Sequence, residues 1–62
     1  DHFLAARATL EAADALATIG QLEEAAKLYE ETSARYAGTP SAQEAASQLK
    51  ELLKQANTST GK

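Results

Sequence analysis

The 62-residue sequence has no cysteine, methionine or tryptophan, one proline and a single histidine. Without cysteine there is neither a disulfide staple nor a thiolate metal site, and His2 has no second ligand beside it. Basic charge is thin as well. Six Lys and Arg stand among nine Asp and Glu, and the net charge of −3 opposes the clustered cations that displace counterions from a nucleic acid. No apolar run approaches the roughly 20 residues of a membrane span, and no charged start precedes an apolar leader. The three glycines stand apart, at Gly20, Gly38 and Gly61, so there is no phosphate-cradling loop and no nucleophile elbow. The sequence therefore leads us to expect no catalytic, cofactor-binding or metal-binding residues. It points to a non-enzymatic chain with no nucleic-acid partner, no membrane insertion and no small-molecule substrate.

What is abundant is alanine, with fifteen residues, and leucine, with eight, against one isoleucine, one phenylalanine and two tyrosines. Alanine favours helix and lets helices approach closely, but it buries little area. Set against a chain entropy of about 1.5 kcal/mol per ordered residue, such a core is small. Close helix packing, self-association or a larger parent protein must make up the difference. The chain opens at Asp1 and reads as helix by Phe3, so we expect a piece of a longer protein.

The apolar spacing predicts an all-α fold of three antiparallel helices within residues 1–56. The first, about 2–19, carries Phe3, Ala6, Leu10, Ala13, Leu16 and Ala17 at steps of three and four, with Asp1 as its cap. It ends at Ile19-Gly20, glycine being the residue that closes a helix in the left-handed region. The second, about 22–36, places Glu23 and Glu24 at the positive end of its dipole and pairs Glu23 with Lys27 and Glu31 with Arg35. Its inner face is Leu22, Ala25, Ala26, Leu28, Tyr29, Thr32 and Tyr36. Thr39-Pro40 opens the third helix, about 40–56, by a capping hydroxyl followed by proline at the first helical position. There Ala42, Ala45, Leu49, Leu52 and Ala56 make a seam with Ala46 and Leu53 beside it, and the other face is polar throughout. Residues 57–62, Asn-Thr-Ser-Thr-Gly-Lys, are poor helix formers without periodicity and are expected to form a flexible tail.

The stretch from Thr9 to Ala37 resembles the tetratricopeptide repeat, a helical hairpin of about 34 residues. With Gly20 on the turn between the two helices, the family's pattern falls on Thr9, Ala12, Ala13, Leu16, Ala25, Tyr29 and Ala37. Gly20, Leu22, Ala25 and Tyr29 match its turn, staple, small residue and aromatic. Thr9 stands where the family has tryptophan, Ala13 stands where it has glycine, and Pro40 arrives three residues late, which implies a longer second helix. The joint from Tyr36 to Ala45 is similar to repeats of bacterial envelope proteins, such as outer-membrane assembly lipoproteins and Tol-Pal coordinators. The compartment stays open between bacterial periplasm and cytoplasm.

The resemblance implies a hairpin closed by a solvating capping helix, the terminal repeat of a larger protein, acting as an interaction or scaffold module for a protein partner. It places Arg7, Leu10, Asp14 and Ala17 on the partner-facing groove. The family's capture of a chaperone's terminal carboxylate uses Lys and Asn where this chain has Leu10 and Asp14. An acid there repels a carboxylate, so that ligand is excluded. The alternative is a homo-oligomer, a dimer or trimer joined through the third helix's seam at Leu49, Leu52 and Leu53; a third reading makes the chain an accessory lobe of an enzyme. Blander accounts accompany the single residues: His2 solvated, Glu23-Glu24 and Glu30-Glu31 as solvating charge, Tyr29 and Tyr36 as packing, and Arg7 with Asp14 as a surface pair.

Overall fold

A computed structural model describes residues 1–60, with side chains as far as Gln55. Three helices follow one another, α1 His2–Thr18, α2 Leu22–Arg35 and α3 Pro40–Thr60, so the fold is all-α as expected. α2 lies between the other two and packs along both, while α1 and α3 meet over a shorter stretch.

The local chemistry accounts for the boundaries. The Asp1 carboxylate accepts from the Phe3 amide at 3.0 Å and so caps α1. At the other end the Gln21 amide reaches back to the Leu16 carbonyl at 2.9 Å, and the Gly20 amide reaches the Ala17 carbonyl at 3.1 Å. That pair of bonds is a Schellman closure, and it puts Gly20 at φ +87°, a conformation that glycine enters without cost. α2 starts without a side-chain cap at Gln21; Glu23 and Glu24 occupy its first turn and Arg35 its last, complementing the helix dipole at both ends. Between α2 and α3 the buried Thr39 hydroxyl donates to the Tyr36 carbonyl at 2.7 Å and accepts from the Ala42 amide at 3.1 Å. One side chain thus ties the end of α2 to the start of α3.

α3 runs to Thr60, four residues beyond the expected end at Ala56, so Asn57 to Thr60 are helical rather than part of a tail. The remainder of the expected tail, Gly61 and Lys62, lies outside the described residues.

The core is made of Leu10, Ala13, Ala25, Tyr29 and Ala45, with Leu16, Ala17, Leu28 and Leu49 packed around it. Ala6, Ala13, Ala25 and Ala45 are fully buried, and it is their small size that lets the three helices approach. Thr32 is buried among them, its hydroxyl satisfied by the Leu28 carbonyl one turn back at 2.7 Å. Of the apolar residues expected inside, Phe3, Leu22, Ala46 and Leu53 are instead exposed.

Candidate functional site

The α1 face expected to meet a partner opens onto a cleft of about 300 Å³ between α1 and the first turn and a half of α3. Arg7, Leu10, Glu11 and Asp14 line it from α1; Pro40, Ser41 and Glu44 line it from α3. Their steps of three and four set each group on one side of its helix, and the Thr39 link fixes where α3 begins opposite them. A second hollow of about 270 Å³, lined by Phe3, Leu4, Arg7, Pro40 and Ser41, shares three of these residues and continues the cleft towards the start of α1. One end of the valley is therefore apolar and the other ionic.

Of the four groove residues expected from the sequence, three come together here. Leu10, 5% exposed, forms the floor and belongs to the core at the same time. Ala17 does not line the cleft; it is half-buried against the core. Arg7 and Asp14 do not pair with each other. The Arg7 Nε lies 3.0 Å from a Glu11 carboxylate oxygen, in an exposed pair one helical turn apart. Asp14 accepts a hydrogen bond from the Tyr29 hydroxyl, joining α1 to α2. Burial pushes the Tyr29 phenol up to about 12, with further upward contributions from the hydrogen bond to Asp14 and the negative charges of Asp14 and Glu44. Three carboxylates against one guanidinium leave the cleft acidic.

Glu11, Ser41 and Glu44 are cleft residues that the sequence reading passed over. Glu11 shows itself as the i+4 partner of Arg7, but Ser41 and Glu44 lie some thirty residues along the chain, and only tertiary packing brings them opposite.

The leucines expected to drive self-association separate. Leu49 packs on the core, Leu52 is half-buried, and Leu53 is 55% exposed. Leu52 and Leu53 border a shallow apolar groove of about 120 Å³ with Leu22, Glu23 and Ala26. His2 is exposed and stands edge-on to Tyr36 at 5.1 Å between ring centroids. Among the described residues no helix is long and apolar enough to cross a membrane, and no cluster of three metal-binding side chains occurs.

Comparison with protein-family models, curated proteins and solved structures gives no match.

Proposed function

We propose that this chain is a non-enzymatic interaction module whose α1–α3 cleft receives a cationic, partly apolar segment of a protein partner. The supporting observation is the composition of the cleft, in which Glu11, Asp14 and Glu44 face one arginine beside an apolar end at Phe3, Leu4 and Pro40. A lysine or arginine next to a leucine-sized side chain complements both ends. Arg7 is paired with Glu11 and Asp14 is held by Tyr29, which pre-orients the acidic groups before any partner arrives. In this reading the α1–α2 hairpin is a tetratricopeptide-like unit at the end of a larger protein, capped by α3. The likeness rests on Gly20, Leu22, Ala25 and Tyr29 of the sequence, and the three described helices do not themselves show a repeat.

The test is a titration of the isotope-labelled chain with a capped leucine-lysine-lysine-leucine peptide, followed by amide chemical shifts. Shifts centred on Arg7, Asp14, Ser41 and Glu44, weakened by salt and absent when glutamate replaces lysine in the peptide, are expected. Shifts confined to the acids of α2, or equal shifts with the acidic peptide, overturn the reading. Self-association through α3 is the second reading. It draws on exposed Leu53 beside Leu22, Ala26 and Leu52, while Leu49 is spent on the core.

A further inference from the structure

α1 carries two apolar faces rather than one. Ala6, Leu10, Ala13 and Ala17 point inward. On the opposite side of the same helix, Leu4, Ala8, Ala12, Ala15 and the helix cap Ile19 recur at steps of four, four, three and four, and every one of them is exposed. Leu4 at 68% and Ile19 at 70% exceed the other exposed large apolar side chains, and they lie on this one face. A helix that is apolar on both sides belongs between two neighbours, and of the outer face only Leu4 borders another described helix, across the hollow it shares with Pro40 and Ser41.

We infer that the missing neighbour is α1 of a second copy of this chain, packed antiparallel. The order of the residues carries the argument. Read from either end the face runs large, small, small, small, large, and in an antiparallel pair Leu4 faces the partner's Ile19 while Ala8 faces the partner's Ala15. Ala12 then meets the partner's Ala12 beside the two-fold axis. Such self-complementarity is what an isologous interface demands. The alanines bring the axes to the short end of the roughly 8–10 Å range of packed helices, and Leu4 and Ile19 close the two ends.

Charge agrees with the same occupant. Arg7 and Glu11 border one side of the face and are already paired at 3.0 Å, so that margin is neutral although the whole chain carries −3. The area also sets the strength. A handful of side chains per copy falls well short of the roughly 20–30 residues a side of a standard interface, so the dimer is weak and reversible. This interface meets the apolar end of the cleft at Leu4 and its rim at Arg7 and Glu11, but a chain that proves monomeric leaves the cleft reading untouched.

Sedimentation equilibrium from about 10 µM to about 1 mM tests it, the range in which weak association is read out. The mass should rise towards a dimer. Ala12→Glu, at an exposed helical site, should keep the helical circular dichroism and raise the dissociation constant at least tenfold; Leu53→Lys should leave it unchanged. The absence of native cysteine permits a check of direction. A mixture of Ala8→Cys and Ala15→Cys chains should cross-link on oxidation, whereas either alone should not, since like positions are offset by about 10 Å along an antiparallel pair and a disulfide needs Cα atoms within about 7 Å. A monomer at the highest concentration, a dimer indifferent to Ala12→Glu, or preferred cross-linking between like positions would each overturn the inference.

Discussion

Tyr29 concentrates more physics than any other residue. It is 2% exposed and spans from α2 to α1, so its ring fills the core while its hydroxyl donates to the cleft-lining Asp14. Because folding favours the neutral phenol, its contribution to stability is complete below pH 10 and is lost as pH rises through about 12. In a Tyr36→Phe chain the ultraviolet absorbance of tyrosinate reports Tyr29 alone, and we expect its midpoint near 12 instead of 10. Adding Asp14→Asn should lower that midpoint yet leave it above 10, because burial is the larger cause. Thr39 is the second such residue. Thr39→Ala removes a buried hydroxyl that serves both the α2 exit and the α3 entry, and urea titration should show a loss of about 1 kcal/mol, typical of a deleted cap.

At the scale of the helices, boundaries were legible wherever a residue with a specific stop or start chemistry stands. Asp1, Gly20 and Thr39-Pro40 each act in the structure as their chemistry foretells. Gly20→Ala should cost about 1 kcal/mol even though a methyl there meets no atom within 4 Å, because the penalty lies in the backbone at φ +87°. Gly20→Asn, which tolerates that conformation better, should cost less; thermal denaturation of both variants decides it. The C-terminal end of α3 was misread for the complementary reason. Asn57, Thr58, Ser59 and Thr60 are weak helix formers but each is unfavourable by only some 0.7 kcal/mol or less, and none imposes a stop. Spacing likewise put Arg7, Leu10 and Asp14 on one face, whereas Ser41 and Glu44 opposite them follow from how α3 crosses, which no local pattern encodes. The outward exposure of Leu4 and Ile19 was hidden because on an alanine-rich helix several stripes satisfy the same steps of three and four.

The whole molecule is elongated, 43 × 20 × 12 Å, and only about two helix diameters wide. So flat a chain has few residues out of reach of water, and among the described residues the fully buried side chains larger than alanine are Tyr29 and Thr32. We expect a single reversible urea transition with a stability of about 3 kcal/mol, at or below the usual lower bound for domains, measured by circular dichroism. The exposed Glu31–Arg35 pair, at 3.6 Å, adds little: Arg35→Ala should shift the midpoint by no more than about 0.5 kcal/mol.

The buried alanines also turn round the usual pattern of mutational tolerance. In most cores the damage comes from truncation, but at Ala6, Ala13, Ala25 and Ala45 there is almost nothing to truncate. A saturation library at these positions should rank substitutions by volume and not by polarity. Serine, with one added atom, survives where leucine fails, although leucine is the better helix former and by far the more hydrophobic.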